Sequence, residues 1–188
     1  MNTKDNQRTR LSKKLFREAL LELLNDDRPI EKISVRELCE KAELNRSTFY
    51  AHYTQPREIL REAEDELLEA TKRHLREIGQ GSAGDAKAYL SSFLRFIKEN
   101  AGPFGTLFLT SADPDFRGRF TQLAMLQLLS SFRVELPRDE EQFVYSFLMQ
   151  GSLGVILQWM RAEYAAPVGR IVDLLLLLND SALKGLAR

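Results

Sequence analysis

Residues 42–60 read AELNRSTFYAHYTQPREIL. Ala42, Leu44, Phe49 and Tyr53 recur along this stretch as apolar or aromatic anchors. Between them stand Asn45, Arg46, Ser47, Thr48, Tyr50 and His52. A short element so rich in hydrogen-bonding groups admits two readings. It is either an exposed polar helix whose capping residues merely specify its ends, or a rigid probe that presents side chains to a partner.

The sequence just before it shows how the element is held, and spacing alone leaves both readings open. Ser34-Val-Arg-Glu37 has the pattern of a capping box, in which the serine accepts from the Glu37 amide and the glutamate reaches back. A short helix follows and buries Val35, Leu38, Cys39 and Ala42. Asn45 offers a second N-cap only eleven residues later, so a tight turn near Glu43 joins two helices. This is helix-turn-helix geometry. Leu38, Ala42, Leu44 and Phe49 supply a miniature core, which turns Arg46, Ser47, Thr48, Ala51 and His52 toward solvent. A contact to a base edge discriminates only if the side chain is placed in advance. Arg46 is long enough for guanine acceptors or a phosphate, and Ser47 and Thr48 suit base edges or backbone oxygens. Tyr50 and His52 suit phosphates, which position a protein without reading sequence.

Upstream, Leu11, Leu15, Ala19 and Leu23 form one helical stripe, widened by Phe16, Leu20 and Leu24. The stretch DDRP at 26–29 ends that helix, because Pro29 disfavours helical geometry in the residue before it. The formal net charge is zero, yet residues 1–61 carry thirteen Lys and Arg against ten Asp and Glu. Positive charge therefore gathers at this end, and Arg8, Arg10 and Lys13 form a basic arm that adds nonspecific attraction to nucleic acid.

Downstream, Pro56 suits the first turn of a helix, where its missing amide costs nothing. That helix is expected to run to about Ile78, with Gly79, Gly81 and Gly84 forming a hinge. Five more helical stretches follow near 85–100, 103–110, 114–133, 139–163 and 167–186, punctuated by Pro103, Pro114, Pro137 and Pro167. The expectation is an all-α protein of about nine helices. Its divisions are a helix-turn-helix DNA-binding domain at 1–55, a connecting helix and hinge at 56–84, and an effector-binding and dimerisation domain at 85–188. With 188 residues, 44% of them apolar, the chain can bury a substantial core. A single cysteine, Cys39, leaves no disulfide framework and suits a reducing cytoplasm. The N-terminus has no apolar targeting core, and the greasy run Ile171–Leu178 is far short of the ~20 residues of a membrane span. A cytoplasmic location without membrane association is expected.

Residues 8–62 resemble the tetracycline-repressor (TetR) family of bacterial regulators. The family pattern is an apolar helix, an Ala-Gly-Val-Ser-like turn, Thr-Phe-Tyr, a His-aromatic pair, and an acidic helix start before paired leucines. It is matched by Val35–Ala42, Ala42-Glu43-Leu44-Asn45, Thr48-Phe49-Tyr50, His52-Tyr53 and Glu58-Ile59-Leu60. The resemblance implies that Arg46, Ser47, Thr48, Tyr50 and His52 lie on the DNA side and that Phe49 and Tyr53 are core. Two positions depart from the pattern. Glu43 replaces the usual turn glycine, with strain if its φ is positive. Pro56 replaces the lysine at the start of the fourth helix and has no amide to donate, so either Arg57 takes over that phosphate contact or affinity is reduced.

The resemblance also implies a divergent body that dimerises and binds an effector. Phe143, Phe147, Gly151, Gly154 and Trp159 on one long helix, with Ile171, Leu174, Leu175 and Leu178 on the next, are apolar on several faces and are the candidate dimer interface. Glycine inside a helix is costly, so Gly151 and Gly154 suggest close approach of another helix, within the chain or across a dimer. Leu67, Thr71, His74, Phe93, Phe96, Phe104, Phe108, Met125, Tyr145 and Met149 are the candidates for a pocket binding a small, largely apolar effector. A Met and aromatic set at this spacing is more often simply core. The segment GSLGVILQWM, residues 151–160, resembles the branch that includes dihydroxyacetone-kinase operon regulators. No metal-ligand spacing, phosphate loop or nucleophile elbow is present, so no cofactor, metal or catalysis is expected. The functional expectation is a ligand-responsive repressor, acting as a homodimer on double-stranded DNA at a near-palindromic operator. The alternative is a helical adaptor or co-regulator that binds a protein and keeps a weakened DNA-binding head.

Overall fold

The computed structural model describes residues 3–25, 28–81, 85–109, 114–129 and 140–186. Among the described residues there are nine α-helices and no strand, which agrees with the all-α expectation. They are α1 (Thr3–Asn25), α2 (Val35–Ala42), α3 (Arg46–Tyr50), α4 (Pro56–Gly81), α5 (Ala86–Glu99), α6 (Ala101–Leu109), α7 (Pro114–Leu129), α8 (Glu141–Arg161) and α9 (Val168–Leu186). A short 3-10 turn at Ile30–Lys32, absent from the sequence reading, buries Ile30 between α1 and α2 in the chain order.

The helices gather into two compact units. Residues 1–67 and 106–113 form the first, and residues 68–105 and 114–188 the second. In the first unit α1 packs on α2 and α2 on α3. Its centre is Phe16, Leu20, Leu38, Phe49 and Ile59, all essentially without solvent contact. Burying each such side chain contributes roughly 1.5–3 kcal/mol. The Phe16 ring meets Phe49 edge-on with centroids 5.6 Å apart, and meets Tyr53 edge-on at 6.2 Å. These contacts explain one difference from the sequence stripe. The buried face of α1 is centred on Phe16, Leu20 and Leu24, while Leu11 is exposed. The large ring at Phe16 sets the phase of the helix, and Leu11 is rotated away from it.

In the second unit α5 packs on α9, α8 on α9, and α7 on both α5 and α8. Its core is aromatic. Tyr89 stacks near Phe93, Phe93 near Phe120, and Phe104 meets Phe120 edge-on at 5.4 Å. The buried Tyr89 hydroxyl donates to the carbonyl of Ala124 at 3.1 Å, so its polar end is satisfied. The α4 helix runs through Gly79 to Gly81 and does not stop at Ile78. Glycine costs a helix about 0.8–1 kcal/mol against alanine without forbidding it. Residue 84 of the expected hinge lies outside the described residues, as do residues 130–139.

The helix α8 is long and apolar enough, by length and composition alone, to cross a membrane. Core helices pass the same test, and α8 is packed against α7 and α9.

Candidate nucleic-acid interface and the helical body

The turn between α2 and α3 is built from its ends inward. Ser34 accepts from the Glu37 amide at 3.2 Å, and Glu37 accepts from the Ser34 amide at 3.0 Å, so both halves of the capping box are present. Arg28 donates to the same carboxylate at 3.0 Å. The Ser34 amide, then its hydroxyl, then Arg28 hold the Glu37 carboxyl at about 2, against an ordinary value of 4.5.

At the other end of α2, Glu43 sits in the left-handed region with φ 54 and ψ 37. The Leu44 amide donates to the Cys39 carbonyl at 3.0 Å and the Glu43 amide to Glu40 at 3.3 Å. These two bonds make a Schellman closure, which normally places glycine where Glu43 stands. Asn45 takes the N-cap position of α3, but its side chain makes no capping bond. The α3 helix is anchored instead by Phe49, which is 0% exposed.

With Phe49 inward, the rest of α3 points out. Arg46 and Ser47 are exposed, Thr48 and His52 are half-buried, and Tyr50 is 62% exposed. Leu44 is only partly covered, so it rims the miniature core without filling it. Arg8 and Arg10 are also exposed. Neither they nor Arg46 have a carboxylate partner among the described residues.

Lys13 is placed differently. Its ammonium donates to Glu62 at 3.0 Å and lies 5.3 Å from the centre of the Tyr53 ring. The Tyr53 hydroxyl donates to the other Glu62 oxygen at 2.7 Å. Burial would raise the Glu62 carboxyl, but the hydrogen bonds from Tyr53 and Lys13 outweigh it and carry it below its ordinary value. Arg17 pairs with Glu66 one turn further on. These pairs clip α1 to the first turns of α4 within the first unit. Arg57 is likewise engaged, with Glu31 at 3.2 Å. Sequence pattern does not reveal this network, since Lys13 and Glu62 stand far apart in sequence and no local pattern joins them.

At the start of α4, Pro56 is the first helical residue. Glu58 accepts from the Thr54 amide at 2.9 Å and from the Thr54 hydroxyl. The entry to α4 is thus specified by Thr54 and Glu58.

The candidate pocket residues divide between the units. Leu67 and Phe108 belong to the first and are buried there. Thr71, Phe93 and Phe104 are buried in the second. His74 stacks on Phe96 with centroids 4.5 Å apart and its Nε2 lies 3.2 Å from the Ser92 carbonyl. Phe96 meets Phe104 edge-on, so His74, Phe96 and Phe104 are in one continuous ring contact. Tyr145 and Met149 are half-buried on α8, and Tyr145 hydrogen-bonds Glu141. The side chain of Met125 lies outside those described.

The candidate dimer residues fall into two groups. Phe143 is 77% exposed and Phe147 68%, and Gly151, Gly154, Leu174 and Leu178 are open as well. Leu177, left out of the sequence reading, shares this exposure. Trp159, Ile171 and Leu175 are buried within their own chain. Trp159 donates to the Ala166 carbonyl at 2.8 Å and packs edge-on against Tyr164, holding the turn between α8 and α9. Between the two helices a buried pair, Asn179 Nδ2 to Ser152 Oγ at 3.2 Å, fixes their register. Among the described residues no group of three or more His, Cys, Asp or Glu could hold a metal ion.

Residues 84–180, about half the chain, match the family model described as the C-terminal region of a transcriptional regulator of the TetR type. The chain belongs to the TetR family of transcriptional regulators. Among solved structures it is similar to a TetR transcriptional regulator from Streptococcus agalactiae 2603V. That match has a TM-score of 0.68 and 23% identity, and covers 93% of this chain and 97% of the other. It is also similar to the dihydroxyacetone kinase operon activator DhaS, with a TM-score of 0.54 and 16% identity over 93% of this chain and 97% of that one. At these identities the likeness is one of fold. No curated protein matches the sequence.

Proposed function

We propose that this TetR-family regulator is a sequence-specific DNA-binding protein, acting as a cytoplasmic homodimer that represses from a near-palindromic operator and is released by a small, largely apolar effector. The observation that carries the DNA reading is the contrast along α3. Phe49 is fully buried while Arg46, Ser47 and Tyr50 stand in solvent one residue to three residues away. A stiffly anchored helix with open hydrogen-bonding groups is what groove recognition requires. Arg46, Ser47 and Thr48 read bases, Tyr50 and His52 hold phosphates, and Arg8 and Arg10 add backbone contacts. Lys13 and Arg57 join them only by leaving Glu62 and Glu31.

In this reading residues 1–55 bind DNA, 56–84 connect, and 85–188 dimerise and bind effector. The α4 helix contributes to both compact units, which makes it the route by which an effector shifts the spacing of two heads in a dimer. Such an effector binds the free dimer more tightly than the operator-bound dimer, and equal affinities reject the mechanism.

The experiment is selection of bound DNA from a random pool with the purified chain, followed by a salt titration. A near-palindrome should emerge, and the logarithm of the binding constant should fall with slope about −0.9 per phosphate neutralised. A second reading is favoured by the ion pairs that occupy Lys13, Arg17 and Arg57. A head with so few open cations suits an adaptor that binds a protein. No DNA binding at low salt selects that reading.

A further inference from the structure

The α3 helix is five residues long, and an isolated helix of that length does not hold itself in water. Its aim is therefore set by what grips it. At its start Asn45 makes no side-chain cap, and the buried ring of Phe49 fixes how deep the helix sits. Apolar burial is non-directional, so depth is fixed more firmly than angle.

The angle is held beyond the other end. The Tyr53 amide donates to the Phe49 carbonyl at 2.9 Å and the Ala51 amide to the Ser47 carbonyl at 3.1 Å, which ties Tyr53 to the α3 backbone. The buried Tyr53 ring lies 5.8 Å from Phe49 and 6.2 Å from Phe16. Its hydroxyl donates to Glu62 on α4 at 2.7 Å, the length of a charge-assisted bond. Lys13 on α1 donates to both oxygens of that carboxylate, at 3.0 and 3.2 Å. Burial, and then Glu62, push the Tyr53 hydroxyl above its ordinary range, so it stays protonated and stays a donor. All these groups belong to the first compact unit.

We infer that Glu62 is a positioning residue for DNA reading: it touches no DNA, and its bond to Tyr53 fixes the angle at which α3 presents Arg46, Ser47 and Thr48. The inference rests on the DNA reading above and adds to it a specificity determinant on α4.

The lever is long enough to matter. Arg46 stands seven residues before Tyr53, roughly 10 Å at ~1.5 Å per residue. A tilt of about 10° at Tyr53 would carry Arg46 by roughly 2 Å, against a tolerance of ~0.5 Å for a preorganised contact. Phosphates repeat along the duplex and are met by long side chains, so they tolerate such a tilt better than base edges do. A loosened α3 therefore loses its chosen sequence before it loses DNA.

The test selects a duplex from a random pool with the native chain. It then measures, for each full-length variant at one salt concentration, affinity for that duplex and for random-sequence DNA. Tyr53→Phe keeps the ring and removes the hydroxyl. Glu62→Leu removes the acceptor, whereas Glu62→Gln keeps an oxygen for the hydroxyl and gives up the charge. Tyr53→Phe and Glu62→Leu should each lower the ratio of specific to random affinity about 10-fold, the worth of roughly one base contact. Random-sequence affinity should hold in Tyr53→Phe and rise in Glu62→Leu, which frees Lys13 and removes an anion. Glu62→Gln should keep the ratio within about 3-fold of native, since a neutral bond is weaker than a charge-assisted one. A purely structural loss would instead lower both affinities together, in step with the folded fraction seen by circular dichroism.

A native chain that selects an operator, with Tyr53→Phe and Glu62→Leu keeping its ratio or losing both affinities in parallel, overturns the inference and leaves the DNA reading standing. So does Glu62→Gln falling as far as Glu62→Leu, because the ion pair and not the bond to Tyr53 would then set the ratio. A native chain that binds no DNA at low salt overturns both.

Discussion

The faces of α3 and α8 are both left open by their own chain, for opposite chemical reasons. On α3 the open groups are hydrogen-bonding side chains, Arg46, Ser47 and Tyr50, held out by a buried Phe49. On α8 the open groups are Phe143 and Phe147 with glycines beyond them, and no charge intervenes. Polar groups in water cost nothing and wait for a partner that matches their geometry. Rings in water are unfavourable at roughly 25 cal/mol per Å², so they favour any partner that covers them. In the proposed function the first face sets specificity, and the second drives association.

The sharpest way to break that contrast is to make the same deletion on each side of it. Phe49→Ala removes a ring from a closed core and should destabilise the chain by about 3–5 kcal/mol, seen as a large drop in the urea midpoint. Phe147→Ala removes an equal ring from an exposed site and should leave the stability of the monomer within about 0.5 kcal/mol. Its effect should appear in the dimerisation constant. Equal losses in monomer stability would mean that α8 is covered by its own chain after all.

The second effect in size concerns binding. Arg46→Ala should weaken operator affinity by about 1–3 kcal/mol while changing unfolding free energy very little. Lys13→Met offers the informative comparison. Lys13 is held by Glu62 and lies against the Tyr53 ring, so its loss should show more in stability than in the salt slope of DNA binding. A salt slope reduced by about 1 in Lys13→Met would show that the Glu62 pair opens when DNA arrives.

What could be read from residue order alone follows the range of the interaction. The capping box at Ser34 and Glu37 spans three residues, and the helix starts at Asn45 and Pro56 are equally local, so these were legible. The phase of α1 was not. Leu11 and Phe16 are both apolar, and only the rings of Phe49 and Tyr53 decide which one faces in. The Lys13–Glu62–Tyr53 cluster and the Ser152–Asn179 pair join distant segments and leave no periodic trace. The exposure of Leu177 is not legible, because a run of five leucines from Leu174 to Leu178 hides its own 3.6-residue phase. Composition alone likewise does not separate Trp159, Ile171 and Leu175 from that open face, though their own chain covers them.

A third test bears on how firmly α3 is held. Ser34→Ala should cost about 1 kcal/mol near neutral pH. The folded state holds the Glu37 carboxyl at about 2 against 4.5, so the charged form is favoured by folding. Its contribution is fully present above 4.5 and is lost as pH falls toward 2. The gap between native and Ser34→Ala stability should therefore narrow across that window, and a constant gap would show that the carboxylate plays no part.

The smallest effect expected is a gain. Glu43 holds a left-handed conformation at φ 54 in a closure that suits glycine, and left-handed geometry costs an L-residue roughly 1–2 kcal/mol. Glycine removes that strain but loses more chain entropy on folding, about 0.5–1 kcal/mol. Its carboxylate also sits at the C-terminal, negative end of α2, a further unfavourable contact that glycine would remove. The balance favours Glu43→Gly by about 0.5–1 kcal/mol, measurable as a rise in Tm. DNA affinity should be unchanged or slightly improved, because the turn keeps its two hydrogen bonds and α3 keeps its anchor. A stabilised variant with weakened binding would mean that the stiffness Glu43 gives this turn is itself part of how Arg46 is aimed.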